Sequence, residues 1–68
     1  MPSTAIRDFS YDEPRRRLFV TFVTDRQYVY FEVPPEVYRT FRAAGSRGRF
    51  FNTEVRDQYD FREITNAA

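Results

Sequence analysis

The sequence predicts an α+β domain in which a small three-stranded antiparallel sheet precedes two short helices that pack on one of its faces. Two runs rich in β-branched and aromatic residues, Arg16–Val23 and Gln27–Val33, are separated by a short turn, which indicates an antiparallel hairpin. A proline pair ends the second run, and apolar residues then recur at helical spacing. The element order expected from these observations is β-β-β-α-α.

The first strand and the two turns are predicted from local chemistry. Residues Ala5–Tyr11 form an extended run whose apolar alternation is imperfect, which indicates a β-bulge. The segment Asp12–Arg15 is typical of a turn, because its aspartate can bond to nearby backbone and its proline fixes φ. Thr24–Arg26 is the expected turn between the second and third strands.

The first helix is expected over Glu36–Ala44, directly after Pro35, whose fixed φ suits the first turn of a helix. Its apolar stripe falls at i, i+4 and i+7 and consists of Val37, Phe41 and Ala44. Gly45 is placed to end this helix in the left-handed conformation.

A second helix and a tail complete the predicted fold. Ser46 is a suitable N-cap for a helix that runs over about Arg47–Gln58. Asp60–Ile64 forms the tail, and we expect Phe61 to pack back on the core. At 68 residues the chain has room for one domain, over 1–68, with an ordered core at about 5–64.

The composition excludes several classes of function. The absence of cysteine and histidine excludes disulfides, thiolate or imidazole metal sites and a Ser-His triad, so we expect no metal and no cofactor. No pair of acid and base residues has a spacing that singles it out, so an enzyme is not expected. No apolar run reaches the length of a membrane span, and no signal-peptide pattern is visible, so we expect a cytoplasmic protein.

The charge pattern has two interpretations. Eleven basic residues against ten acidic ones give a formal net charge of +1, and all eleven are arginine. The use of arginine alone fits the codon bias of a G+C-rich genome. It also fits a surface selected for guanidinium chemistry, because arginine binds phosphate in a bidentate way and stacks on bases.

An ordered set of residues resembles the KTSC domain family, which is named after the C-terminal extension of some lysyl-tRNA synthetases. The set consists of Leu18-x-Val20-x-Phe22, Tyr28-x-Tyr30, Val33-Pro34, Ser46-x-Gly48-x-Phe50-Phe51-Asn52, Val55-Arg56 and Tyr59. The family also occurs as free-standing small bacterial proteins. The resemblance implies a suspected role in RNA binding and no established activity. The family often has glycine in the hairpin turn where this sequence has Asp25.

The length of the hairpin turn decides which sheet face holds the two tyrosines. A two-residue loop sets Phe22 opposite Val29 and places Tyr28 and Tyr30 on the open face. A three-residue loop with a bulge sets Phe22 opposite Tyr28 and turns both tyrosines into the core. The position of the tyrosine pair in the family motif favours the second register, and so does the need of a small core for large rings.

In that register, Phe19, Val29 and Phe31 face away from the core. Two short helices cover only one face of a sheet, so the sequence predicts an exposed apolar surface on the other. We expect a non-enzymatic interaction module that uses this surface to bind a second copy or a protein partner. Alternatively, the first strand, the tail or the chain ends fold over it.

The start of the second helix suggests a different function. Free amides, a glycine and two arginines together resemble a phosphate cradle, and one side of the helix continues the row of polar groups. We name these residues the helix-start set: Ser46, Arg47, Gly48, Arg49, Asn52 and Arg56. The alternative hypothesis is weak, sequence-indifferent binding of RNA or another nucleic acid through this set.

Bland interpretations of the same residues remain open. Gly48 can simply allow close packing of a ring, and the arginines of the helix-start set can be solvated charges. The run Arg15–Arg17 is either a solvated turn balanced by neighbouring acids or an outlying phosphate contact.

Overall fold

The computed structural model describes residues 6–64, which form a four-stranded antiparallel sheet with a helical layer on one face. The strands are β1 (Ile6–Asp12), β2 (Arg17–Phe22), β3 (Gln27–Tyr30) and β4 (Phe61–Ile64), and the helices are α1 (Pro35–Ala43) and α2 (Arg47–Phe50), which continues as a π-helical segment (Phe51–Val55). The α+β class is confirmed. Ala5, which the predicted first strand includes, lies outside the described residues.

The predicted strand number is wrong by one, because the tail is a strand. β4 pairs antiparallel with β3, with Tyr30 opposite Phe61, and the sheet order is β1-β2-β3-β4. The expectation that Phe61 packs back is confirmed, since its ring centroid lies 5.8 Å from that of Tyr28 and 5.5 Å from that of Tyr30. Backbone pairing with β3 is what fixes the tail in place.

The β2–β3 hairpin has the three-residue loop. The Phe22 N–H donates to the Arg26 carbonyl and the Asp25 N–H to the Phe22 carbonyl, so residues 23–25 form the loop. Val20 therefore lies opposite Tyr28, and the predicted pairing of Phe22 with Tyr28 is wrong by two residues. Because side chains alternate with a period of two, this shift leaves every side chain on its predicted face.

Three turn positions have a left-handed backbone without glycine. Arg16, Asp25 and Glu32 have φ values of 53°, 69° and 55°. Asp25 explains why a glycine suits this turn in the family, since glycine adopts this region without a Cβ penalty. Glu32 turns the chain after Tyr30, so β3 ends there rather than at Val33 as predicted.

The helices start as predicted but end differently. Pro35 occupies the first turn of α1, and the Ser46 hydroxyl caps α2 by accepting the Arg49 N–H at 3.3 Å. The prediction for Gly45 is wrong: α1 ends because Ala44 turns extended, at ψ 139°, and no described glycine has a positive φ. The second helical stretch ends at Val55 and not near Gln58, after turns in which the Arg56 N–H donates to the carbonyl of Phe51.

The core lies between the sheet and the helical layer. Its buried side chains come from β2, β3 and the helices: Leu18, Val20, Tyr30, Val33, Phe41, Phe51 and Val55. Phe41 is fully buried, and its ring centroid lies 4.4 Å from that of Phe9 and 5.6 Å from that of Phe50. Aromatic rings therefore fill much of the small core.

Replacing Glu32 with glycine should stabilise the domain by up to about 1 kcal/mol, because the left-handed backbone disfavours side chains by about 1–2 kcal/mol and the added chain entropy of glycine offsets part of this gain. The Glu32 side chain is exposed, so little contact is lost. In a domain of this size the melting temperature should rise by about 4–8 °C per kcal/mol. Asp25→Gly is the comparison, and it should gain less because aspartate tolerates this conformation better and pairs with Arg7. A lower melting temperature for Glu32→Gly would contradict the prediction.

Within residues 6–64, no helix has the length and apolar character needed to cross a membrane.

Candidate interaction surfaces

The sheet face away from the helices holds Phe19, Val29 and Phe31, as predicted. Phe19 lies opposite Val29 in the β2–β3 pair, on the face that Leu18 and Val20 do not occupy. The Arg17 guanidinium lies 5.4 Å from the centroid of the Phe31 ring. We call this surface, formed by Arg17, Phe19, Val29 and Phe31, the open sheet face.

The open sheet face exposes less apolar area than the sequence predicts. Val29 is only 6% exposed, which corrects the expectation that it forms part of an exposed patch. The register explains its burial, because this short side chain lies in a central strand between Phe19 of β2 and Arg62 of β4. Phe19 and Phe31 are half-buried, so these two rings supply the apolar contact area.

A shallow depression of about 300 Å³ lies beside Phe19, and small polar side chains such as Ser10, Thr21 and Gln27 line it. The two edges of this face differ in charge. Asp8 is exposed on β1, and Arg62 is exposed on β4, at the opposite edge of the sheet.

The tyrosine pair lies on the helix-facing side, as the second register predicts. Tyr30 is 3% exposed and Tyr28 is half-buried, and their ring centroids are 6.4 Å apart. The Tyr30 ring also meets Phe51 edge-on at 5.3 Å. Burial raises the pKa of Tyr30 to about 12, because the phenolate loses its hydration. These residues form core rather than a surface.

The helix-start set does not come together as one site. The Ser46 hydroxyl accepts the Arg49 N–H, so this amide already has a partner. Asn52 and Arg56 are close, with the guanidinium donating to the amide oxygen at 3.4 Å. Gly48 is half-buried beside them in α2. Binding of an anion to this set stays a prediction.

Arg47 lies apart from that row, over an aromatic ring of the sheet. Its guanidinium carbon is 5.1 Å from the Phe9 centroid, and that of Arg42 is 5.7 Å from the Tyr38 centroid. The Tyr38 ring stacks on Tyr11 at 4.7 Å and meets Phe9 edge-on at 6.0 Å. We call these five residues the basic flank.

Sequence reasoning missed most of the basic flank. The spacing of Tyr38 and Arg42 at i and i+4 was the available signal, because such residues are neighbours on a helix surface. The contact between Arg47 and Phe9 joins the start of α2 to β1, and no local pattern indicates it.

Tyr11 shows which further charges border the basic flank. Burial raises its pKa, and the charges of Arg16 and Arg39 act in the opposite direction, whereas Glu13 and Asp12 raise the pKa further. Its hydroxyl donates to the Val33 carbonyl, which ties β1 to the segment before α1.

The arginine run has three separate local roles. Arg15 pairs with Asp12 at 3.3 Å, with both side chains at the surface. Arg16 occupies the left-handed turn position, and Arg17 lies over Phe31. The ion pair fits the bland interpretation of a turn balanced by acids.

A groove of about 350 Å³ separates α1 from the π-helical segment, and its polar lining is acidic or neutral: Glu36, Thr40, Glu54 and Gln58. Acidic and basic side chains thus lie on different sides of α1. Among residues 6–64, no three side chains of metal-ligating type form a cluster.

This architecture defines the class: a small α+β domain in which two helical segments are inserted before the last strand of an antiparallel meander. The chain belongs to the KTSC domain family, whose model matches residues 2–59. A crystal structure of a KTSC domain protein from Yersinia pestis superposes with a TM-score of 0.87 at 31% identity, covering 96% of this chain and 92% of that one.

Relatives of two kinds match the chain. A protein of Tsukamurella paurometabola is 40% identical over 57 residues, which cover 84% of this chain and 85% of that protein. A lysine–tRNA ligase of Nostoc punctiforme is 31% identical over 62 residues, which cover 91% of this chain but only 11% of the ligase. The domain therefore occurs both in small proteins and as a minor part of a larger one. No catalytic activity is indicated for the domain itself.

Proposed function

We propose that this KTSC domain is a non-enzymatic interaction module that binds a second copy of itself through the open sheet face. The observation that supports the proposal is the pair of half-buried rings, Phe19 and Phe31, on the side of the sheet opposite the helices. We infer a cytoplasmic setting for this contact, as the sequence analysis predicts. Such a small apolar area implies weak association.

The edges of the face favour a second copy over an unrelated partner. A two-fold axis parallel to the strands would set β1 of one copy above β4 of the other. Asp8 of each copy would then approach Arg62 of the other, so the opposite charges at the two edges are self-complementary. The two Phe19 rings would meet close to the axis.

Sedimentation equilibrium over a concentration series tests this proposal. The double variant Phe19→Ser with Phe31→Ser should remain monomeric at concentrations where the wild type associates. Phe61→Ser is the matched control, because it removes an exposed ring from the helix-facing side of β4. A wild type that stays monomeric throughout, or a control that loses association equally, would overturn the proposal.

A charge swap keeps the test independent of core stability. Arg62→Asp alone should weaken association, and Asp8→Arg combined with it should restore association, because the pair is then reversed. Both side chains are exposed, so the fold should not change. Failure of the swap to restore association would contradict the two-fold arrangement.

Nucleic-acid binding is the second candidate function. It is favoured by the match within a lysine–tRNA ligase, because it places a domain of this family in one chain with an enzyme that is named for a tRNA substrate. The net charge of +1 implies weak binding with strong salt dependence. Amide NMR shifts during titration with a mixed single-stranded RNA at low salt, reversed at high salt, would support it. An unchanged spectrum would exclude it.

A further inference from the structure

The basic flank combines stacked aromatic rings with guanidinium groups. Tyr11, Tyr38 and Phe9 form a continuous aromatic row on the helix-facing side of β1, next to α1. Arg42 and Arg47 each lie over a ring of this row, and both side chains are exposed. A guanidinium that lies on a ring keeps its N–H edge free for an anion.

The charges around the row leave this side of the domain positive. Within residues 6–64, three arginines form ion pairs with carboxylates, and none of them belongs to the flank or its border: Arg7, Arg15 and Arg26. The four arginines on or bordering the flank form no such pair with a described acid: Arg16, Arg39, Arg42 and Arg47. Glu13 is the acid on this side that no described arginine neutralises, since Asp12 pairs with Arg15.

The groove on the other side of α1 has the opposite character, with Glu36 and Glu54 in its lining. A chain with almost no net charge thus separates its charges between two sides of one helix. A net charge near zero therefore does not count against an anionic ligand at the flank.

We propose that the basic flank binds single-stranded nucleic acid, with Arg42 and Arg47 contacting phosphates and unpaired bases stacking on the guanidinium–ring pairs. The inference rests on the second candidate function and assigns it a surface other than the row Arg49, Asn52 and Arg56. Phosphates recur along a strand between planar bases, and the flank offers both kinds of contact side by side. A ligand with phosphates alone would use only half of this chemistry.

Fluorescence anisotropy of a labelled, mixed-sequence single-stranded RNA, titrated with the whole chain at several salt concentrations, tests the assignment. Arg42→Gln with Arg47→Gln should weaken binding by about tenfold or more, the value of one lost base stack. The log–log salt dependence should become shallower by about 1.4, at about 0.7 for each lost phosphate contact on a single strand.

Arg49→Gln with Arg56→Gln is the matched control, because it removes the same charge from exposed positions outside the flank. Its effect should be small. Arg42→Lys with Arg47→Lys should keep the salt dependence but bind less tightly, because lysine cannot stack as a plane. Ring-proton shifts of Tyr11 and Tyr38 in the wild type report the contact without any substitution.

Each outcome is informative. If the wild type does not bind, the nucleic-acid function fails, and the surface assignment fails with it. If only the Arg49 and Arg56 variant loses binding, the function stands and the assignment to the basic flank is wrong. If inorganic polyphosphate competes as well as the oligonucleotide, the stacking part is wrong. DNA of the same sequence shows whether the 2′-hydroxyl contributes.

Discussion

Phe41→Ala should leave the domain largely unfolded at room temperature. Phe41 is fully buried where the helical layer meets β1, with ring contacts to Phe9, Phe50 and Phe51. Truncation of a buried phenylalanine costs about 3–5 kcal/mol, because the transfer free energy is lost and a cavity remains. A domain of this size has about 3–10 kcal/mol in total, at about 0.05–0.15 kcal/mol per residue.

Urea unfolding followed by circular dichroism, together with the dispersion of amide NMR signals, measures this effect. Phe61→Ala removes the same atoms from a ring that is 55% exposed, and it should cost clearly less. Phe41→Leu should fall between the two, since most of the buried volume is kept. A Phe41→Ala variant with a midpoint close to that of the wild type would show that the helical layer does not depend on this ring.

Stability should fall by about 2–3 kcal/mol between pH 10 and 12, at about 1.4 kcal/mol for each unit by which the two states differ. Burial raises the pKa of Tyr30 from the ordinary 10.0 to about 12, so the unfolded chain releases this proton first. Within this window the unfolded state binds fewer protons than the folded state. Unfolding is therefore favoured as the pH rises, and the stabilisation is fully present below pH 10.

The composition makes this alkaline window unusually clean. The chain has no lysine, histidine or cysteine, and arginine keeps its charge throughout, so tyrosines are the side chains that titrate there. Tyr30→Phe should remove most of the slope in urea midpoints measured across this pH range. Part of it should remain, because burial also raises the pKa of Tyr11. A variant with the full wild-type slope would assign the effect to other groups.

Local patterns predicted much of this fold. The period of two in β2 and β3 determined which side chains face the core, and it did so even though the pairing was displaced by two residues. The proline at the start of α1 and the Ser46 cap of α2 were correct for the same reason, since each depends on backbone groups within one turn.

The features that could not be predicted depend on distant partners. β4 has only four residues, and its partner β3 lies on the far side of the helical layer in the chain. The π-helical turns that end at Val55 also have no local signal in the sequence. The basic flank has the same origin, because Phe9 and Arg47 meet only after the helical layer covers β1.

The order of the strands implies an order of assembly. Four residues separate the ends of β1 and β2, and four separate β2 from β3, but thirty (31–60) separate β3 from β4. Closing the longer connection in a disordered chain costs about 2 kcal/mol more, from the logarithmic dependence of loop entropy on length. The first three strands can therefore form early as a local meander, whereas β4 gains its partner only once the helices have shortened the distance. Amide protons of β4 should accordingly exchange with solvent before those of β2, and fraying of the folded domain should begin at Phe61–Ile64.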